Sequence, residues 1–442
     1  MPGRRGVDMF GTSGIRGPVG ETVTADLALS VGRALGIDAG RVVVGRDPRE
    51  SGQFLLDALT AGLRETGTDV IDLGVAATPT VARAVRGKDG DAGVVITASH
   101  NPPADNGIKL WQPTTQAFDT ARQETIADRI EAGEFDPAAW DELGTRRRQG
   151  HTEAHIEAIL DAVEVASPPE VVVDLGNGAG QVSVDALTRL GSDVETLNAQ
   201  PDGAFPGRPS EPTAENCASL TGLARETGRL GIAHDGDADR LRAVTEDGEF
   251  VGGDTLLAIF AREAADPGET VAAPVNTSLA VDDYLAAEDV DVVRTRVGDV
   301  SVAERASEPG VAFGGEPSGA WIWPAEALCP DGPLAAAKLV ELAAERPLAD
   351  RVADVETYPI HRDSVSVTEK AVVMEWVHEA VEDRYDDVTT LDGVRVDLGD
   401  AWFLIRASGT QPLVRITAEA RDPDRATSVF EEAREIVSQA HE

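Results

Sequence analysis

Gly93-Val-Val-Ile-Thr-Ala-Ser-His-Asn-Pro102 decides the architecture of this chain. A short β-branched run without polar alternation reads as a buried strand. It ends in a polar island, Thr97-Ala-Ser-His-Asn-Pro102, and open α/β sheets gather ligands outside the carboxyl ends of such strands. The arrangement recurs downstream. Leu230-Gly-Ile-Ala-His234 runs into Asp235-Gly-Asp-Ala-Asp-Arg240, and Val311-Ala-Phe-Gly314 runs into Gly315-Glu-Pro-Ser-Gly319.

Working outward, Arg41-Val-Val-Val-Gly45 predicts a strand, followed by a helix over about 51–66, a strand near 69–73 and a helix near 79–86. The scheme restarts at Val171-Val-Val-Asp-Leu175, which feeds a Gly-Asn-Gly-Ala-Gly turn, and again at Val271-Ala-Ala-Pro-Val275. After about 358 the pattern changes. Strands near 361–367, 394–398, 402–406 and 412–419 surround helices at about 369–383 and 422–439. The fold class is therefore α/β: three related βαβ-type domains with mixed sheets, then a smaller C-terminal α+β domain. The expected domains are 1–148, 149–248, 249–358 and 359–442.

Composition narrows the function. The chain has 442 residues, 78 Asp plus Glu against 39 Lys plus Arg, and a net charge of −39. Lys88, Lys109, Lys338 and Lys370 are its only lysines. Regular apolar strands argue against disorder, so the acidity reads as that of a folded protein in salty cytoplasm, where counterions screen self-repulsion. No basic stripe is available to offset phosphates, which argues against nucleic acid as a partner. No apolar run is long enough for a membrane, and the Met1-Pro-Gly-Arg-Arg-Gly6 start carries no apolar stretch behind it. Cys217 and Cys329 build neither a disulfide framework nor a metal spacing. A cytoplasmic monomer or homodimer acting on small molecules is the expectation.

Each island has a plain reading beside a chemical one. Ser99 could cap a helix or turn, or it could carry a phosphoryl group, with His100, Asn101 and Lys109 supplying donors and acid–base groups. The chain lacks a Gly-x-Ser-x-Gly elbow here, which disfavours an acyl hydrolase. Asp235, Asp237 and Asp239 alternate in a tight loop and can converge on a hard cation such as Mg²⁺; a solvated acidic turn is the alternative. An EF-hand is rejected, although Glu246 falls at its last ligand position, because Arg240 stands where the loop needs glycine and a strand precedes it. His234 reads as structural. Glu316 and Ser318 lie in a turn that could be no more than a turn, yet suit neighbouring hydroxyls of a hexose. A fourth island, Arg406-Ala-Ser-Gly-Thr-Gln411, follows a strand and combines a cation, two hydroxyls and a permissive glycine, either as an anion nest or as an ordinary hairpin connection. Gly11-Thr-Ser-Gly-Ile-Arg-Gly17, with Arg16, is a fifth phosphate-facing candidate.

Taken together, these residues resemble the α-D-phosphohexomutase superfamily of phosphoglucomutases, phosphomannomutases and phosphoglucosamine mutases. The resemblance runs from Gly11 to about Arg415. It implies four domains around a central cleft, Ser99 as a phosphoserine, and Mg²⁺ held by Asp235, Asp237, Asp239 and the serine phosphate. It implies that Glu316 and Ser318 grip the sugar, and that Arg406, Ser408, Gly409 and Thr410 hold the phosphate that is not transferred. Arg16, His100, Lys109 and Arg240 would surround the reacting phosphate, with Lys109 and Arg16 handling protons or charge. The substrate would be a hexose phosphate passing through a bound 1,6-bisphosphate, with Ser99 first primed by a hexose 1,6-bisphosphate or a kinase. Ala320 stands where many members carry histidine, and Trp321-Ile-Trp-Pro324 with Cys329-Pro-Asp-Gly332 looks more like archaeal members. The phosphoglucosamine or phosphomannose branch is favoured. The rivals are a Mg²⁺-dependent sugar phosphatase using the same site and a non-enzymatic acidic cation-binding protein.

Overall fold

The computed structural model describes residues 9–11, 14–133, 135–408 and 413–441. The chain divides into two compact units, Met1–Gly253 with Ser318–Val352, and Asp254–Pro317 with Ala353–Glu442.

In the first unit a six-stranded sheet runs in the order Ile15–Pro18, Asp105–Trp111, Ala92–Ile96, Arg41–Arg46, Asp69–Val75, Arg146–Arg148. Its last four strands are mutually parallel, whereas Asp105–Trp111 is antiparallel to both of its neighbours. A four-stranded sheet follows, in the order Leu241–Val244, Leu230–His234, Val171–Asp174, Val194–Leu197, again parallel except for its antiparallel edge Leu241–Val244. Both sheets thus repeat one device. A fully buried parallel strand delivers a polar loop, and the chain returns antiparallel beside it. The return strands were not among the sequence expectations, because polar openings such as Asp105-Asn-Gly107 hide them.

The predicted helix over about 51–66 is Gly52–Glu65, and it packs on Ala25–Gly36 at close range. Reciprocal glycines permit this: a methyl on Gly32 would overlap the Leu59 carbonyl, and one on Gly62 would overlap the Leu29 carbonyl. Val42, Val44, Leu55, Leu59, Val94 and Ile96 fill the core beneath.

A buried polar node joins three helices of this unit. Asp331 caps Gly332–Glu345, accepts from Arg83 Nε of Thr78–Gly87 at 2.8 Å, and lies 3.1 Å from Nε2 of His155 in Thr152–Asp161. Burial alone would raise the Asp331 carboxyl, but His155 and Arg83 hold it well below the usual carboxylate range.

In the second unit Asp291–Thr295, Thr270–Pro274 and Val311–Gly315 lie parallel in that order. The C-terminal part is an antiparallel sheet in the order Ile360–Ser366, Leu413–Ala420, Ala401–Ala407, Val394–Asp397, Val388–Thr389. Helices Lys370–Glu382 and Pro423–His441 accompany it, as the change of pattern after 358 predicted. Glu419, on that sheet, is buried and accepts from Ser278 Oγ (2.5 Å), Leu279 N (2.8 Å) and Trp402 Nε1 (2.7 Å). The expected mixed α/β architecture is borne out. No described helix is long and apolar enough to cross a membrane.

Asp331→Asn should destabilise the protein by about 3–5 kcal/mol at neutral pH, because it leaves Arg83 buried without its countercharge. The Asp331 carboxyl is depressed from 3.8, so its contribution is complete above that value and is lost as pH falls through the lower folded value. Denaturant titrations should therefore show the gap between variant and wild type narrowing below about pH 4. A gap that stayed constant, or that opened only in acid, would contradict this account.

Candidate active site

Ser99 lies three residues beyond the strand Ala92–Ile96 and is fully buried. Its backbone sits in the left-handed region at φ 52°, an unusual place for a side chain other than glycine, asparagine or aspartate. The turn aims Ser99 Oγ at Asp235, whose Oδ2 accepts its proton at 2.6 Å. Asp235 itself follows the equivalent strand of the next sheet, Leu230–His234.

Asp235, Asp237 and Asp239 are all buried, and each offers an oxygen within 4.8 Å of the others. Ala238, at φ 55°, turns the chain between the last two. Lys109 reaches in from the antiparallel strand Asp105–Trp111, opposite Val95. Its Nζ donates to Asp237 Oδ2 at 2.8 Å and to Asp239 Oδ2 at 2.5 Å. Thr78 completes the clamp, with Oγ1 donating to Asp237 Oδ2 at 2.6 Å and its N–H donating to the Asp237 carbonyl at 2.9 Å. Burial opposes charge on Asp237, but Lys109 outweighs it and holds the carboxyl below its ordinary range. Asp235 moves the other way: burial first, then Asp239 and Asp237, push it well above that range.

Three buried carboxylates and a serine hydroxyl form an all-oxygen donor set of the kind hard divalent cations take. Asp237 Oδ1 is buried with no hydrogen-bond partner among the described residues. A carboxylate oxygen left so in a protein interior fits a ligand waiting for a cation.

The surroundings are cationic. His100 Nδ1 lies 3.4 Å from Ser99 Oγ, and burial, with Arg240, Arg16 and Lys109 nearby, lowers its pKa to about 2. His100 is thus a neutral imidazole at ordinary pH. Arg16 lies on the edge strand Ile15–Pro18 opposite Gly107, and the Arg240 N–H approaches Asp235 Oδ1 at 3.3 Å. His234 is structural as expected, with Nδ1 on the Arg240 carbonyl and Nε2 on Ser183 Oγ, both at 2.8 Å. Glu246 accepts from Leu348 N and Ala349 N, at the start of another helix and in keeping with the rejected EF-hand. Ala320 is buried and forms a β-bridge with Arg240.

In the second unit Glu316 is buried, and its Oε1 accepts from Gly298 N at 2.8 Å. Ser318, the first residue of the segment that returns to the first unit, occupies the turn before Gly319. Arg406 belongs to the strand Ala401–Ala407 rather than following it, and donates to Asp392 Oδ2 at 2.9 Å. It pairs directly with Arg415 across the ladder. Adjacent arginines repel, so this pairing favours an anion between them. A cavity of about 580 Å³ opens here, lined by three arginines, Arg406, Arg415 and Arg362, by one carboxylate, Asp363, and by Asn276, Ser364 and Thr417 among others. Lys370 Nζ donates to the carbonyl of buried Ser408 at 2.7 Å. Gly409 and Thr410 lie outside the described residues.

Four family descriptions match the chain: Phosphoglucomutase/phosphomannomutase alpha/beta/alpha domain I over residues 7–137, domain II over 153–248, domain III over 252–358, and the C-terminal domain over 364–436. The "Probable phosphoglucosamine mutase" of Methanococcoides burtonii is 45% identical over 437 residues, 98% of this chain and 99% of that protein. The chain belongs to the phosphoglucomutase/phosphomannomutase family. Its membership bears out the resemblance carried by the four islands and makes the chain an enzyme of the phosphohexomutase class. A second "Probable phosphoglucosamine mutase", from Methanopyrus kandleri, is 46% identical over 441 residues, with 97% of each chain covered. Among solved structures, a family protein from Burkholderia thailandensis superposes with a TM-score of 0.88 at 28% identity, covering 98% of both chains. An Aspergillus fumigatus N-acetylphosphoglucosamine mutase, solved with GlcNAc-6P and magnesium, shares the fold at a TM-score of 0.59 and 15% identity, covering 98% of this chain and 96% of its own.

Sequence reasoning missed Thr78, Arg415, Arg362 and Lys370, and also Asp47, Arg49 and Ser210 behind the serine. Asp47 and Arg49 had a signal, since Gly45-Arg-Asp-Pro-Arg49 also closes a buried strand with polar residues. Thr78 had none, being 159 residues from its partner. Thr78→Val should weaken binding of Mg²⁺ by about 10–100-fold, as loss of an outer partner to a ligand does. Calorimetric titration of the purified protein checks it, and unchanged affinity would remove Thr78 from that role.

Proposed function

We propose that this chain is a phosphoglucosamine mutase, interconverting glucosamine 6-phosphate and α-glucosamine 1-phosphate through a phosphoryl group carried on Ser99. One observation carries the reading: a serine hydroxyl in a forced left-handed turn, hydrogen-bonded at 2.6 Å to the first of three clustered buried carboxylates. The choice of sugar follows the full-length relatives named phosphoglucosamine mutase.

Asp235, Asp237, Asp239 and an oxygen on Ser99 would hold Mg²⁺. The ion, when bound, neutralises charge on the phosphoryl group under transfer. Lys109 keeps Asp237 ionised, orients both Asp237 and Asp239, and adds its own positive charge beside the reacting group. Arg16 and Arg240 extend that positive surface. Phosphoryl transfer asks mainly for in-line positioning and charge neutralisation, which this set of residues offers.

In the first half-reaction the bond between phosphorus and Ser99 Oγ breaks while a bond to the free sugar hydroxyl forms, and that hydroxyl's proton ends on Ser99. The product is a bound 1,6-bisphosphate. In the second half-reaction its other phosphate returns to Ser99, which gives its proton back to the sugar oxygen. A substrate charged at both ends needs a second anchor, and Arg406, Arg415 and Ser408 supply one for the phosphate that stays. Glu316 and Ser318 bind sugar hydroxyls. First phosphorylation of Ser99 comes from a hexose 1,6-bisphosphate or a kinase. The domain divisions at 148, 248 and 358 assign one island to each domain.

Ser99→Ala should abolish formation of a radiolabelled phosphoenzyme and reduce turnover by several orders of magnitude. The assay compares glucosamine, mannose and glucose 1-phosphates with Mg²⁺ in molar KCl. Stoichiometric free phosphate without any hexose 6-phosphate would replace the mutase by a phosphatase. Arg406→Ala should cost about 2–5 kcal/mol in hexose-phosphate binding if it breaks a desolvated charge pair. Equal affinity in variant and wild type would mean the cradle lies elsewhere.

A further inference from the structure

We infer that Arg49, anchored on Asp47, is a positioning residue that sets the attack geometry of Ser99. The inference rests on Ser99 being the phosphoryl carrier. Arg49 is fully buried. Its guanidinium is turned on the backbone of the serine loop. Nη2 donates to the carbonyls of Ser99 at 2.9 Å and Asn101 at 2.6 Å, and Nη1 to those of Pro102 at 2.5 Å and Asp105 at 3.0 Å. Nε donates to Asp47 Oδ2 at 2.9 Å, and the Arg49 N–H to Asp47 Oδ1 at 3.0 Å. The ring of Phe205 covers the guanidinium at 4.9 Å.

Asp47 also controls the other end of the residue. Its Oδ2 accepts from Thr97 Oγ1 at 2.7 Å, and Thr97 Oγ1 accepts from the Ser99 N–H at 2.8 Å. Both backbone polar groups of Ser99 therefore trace back to one carboxylate, the N–H through Thr97 and the carbonyl through Arg49. Ser210 Oγ adds a second donor to that carbonyl at 2.8 Å, and itself accepts from Gly236 N in the aspartate loop at 3.0 Å. A serine at positive φ does not hold that conformation unaided. The fork of Arg49 over-determines it, and only a planar five-donor group can serve so many acceptors at once. Ser99 Oγ thereby points at Asp235 rather than into the loop.

Arg49→Lys tests this, since lysine keeps the charge facing Asp47 but loses the fork. In the full-length, phosphorylated protein, kcat should fall about a hundredfold with KM for glucosamine 1-phosphate nearly unchanged, the effect of a misplaced reacting atom. The phosphorus NMR resonance of phospho-Ser99 should shift, while the melting temperature stays within a few degrees of wild type. A wild-type kcat and an unmoved resonance would overturn the inference. If Arg49→Lys does not fold, Ser210→Ala decides, because it removes one donor to the same carbonyl and leaves Arg49 in place. There a fall in kcat of about tenfold at constant KM supports the role, and wild-type turnover rejects it. Ser99→Ala separates the two ideas. Labelling and turnover that survive Ser99→Ala refute Ser99 as carrier, whereas labelling lost in Ser99→Ala but unaltered kcat in Arg49→Lys refutes only the clamp.

Discussion

Three carboxylates cannot be buried within a few ångströms of one another unless positive charge is buried with them. Asp235, Asp237 and Asp239 meet that constraint unevenly. Lys109 bridges Asp237 and Asp239, and the charge on Asp237 is secure. Asp235 faces Ser99 instead, and its carboxyl is driven upward by burial and by the other two. The protein side chains thus compensate one end of the cluster more fully than the other. The less compensated end is the one against the serine, where a divalent cation has the most charge to offset.

That cluster exists only because two loops from different sheets are held against each other, and the fold uses the same device for both. Asp47 and Arg49 form a buried pair whose guanidinium binds the carbonyls of the serine loop. Asp174 and Arg208 form another, at 2.7 Å, whose guanidinium binds the carbonyls of His234 at 2.6 Å and Ser210 at 3.2 Å. Neither pair adds much net stability, since desolvating two ions offsets most of their attraction. What they contribute is geometry. Backbone carbonyls in tight, non-repetitive turns lack ladder partners, and a buried arginine satisfies several of them while fixing the turn.

This explains which parts of the molecule were legible in the sequence. Strands such as Arg41–Arg46, Ala92–Ile96 and Leu230–His234 announce themselves because both faces are buried and no polar residue interrupts them. The islands at their ends stand out by contrast, so Ser99 and the aspartates could be found. Lys109 was visible mainly because lysine is scarce. Arg49 and Thr78 were harder, because their partners lie 50 and 159 residues away and only the folded packing of loops brings them together. Arg415 was hidden for a different reason. Within Leu413–Ala420 it looks like any exposed residue of an alternating strand, and its meaning comes from pairing opposite Arg406.

The scarcity of lysine then has a structural reading. Lys109 Nζ holds Asp237 and Asp239, Lys370 Nζ holds the Ser408 carbonyl, and Lys338 Nζ bonds the Ala162 carbonyl and Glu341. Three of the four lysines therefore have a fixed acceptor. A flexible ammonium on an acidic surface is readily replaced, since exposed ion pairs contribute little and are screened by salt. An ammonium buried between two carboxylates is not, because no carboxylate, hydroxyl or amide can supply its charge there. In a composition so poor in lysine, Lys109 stands where an interior charge has to be matched.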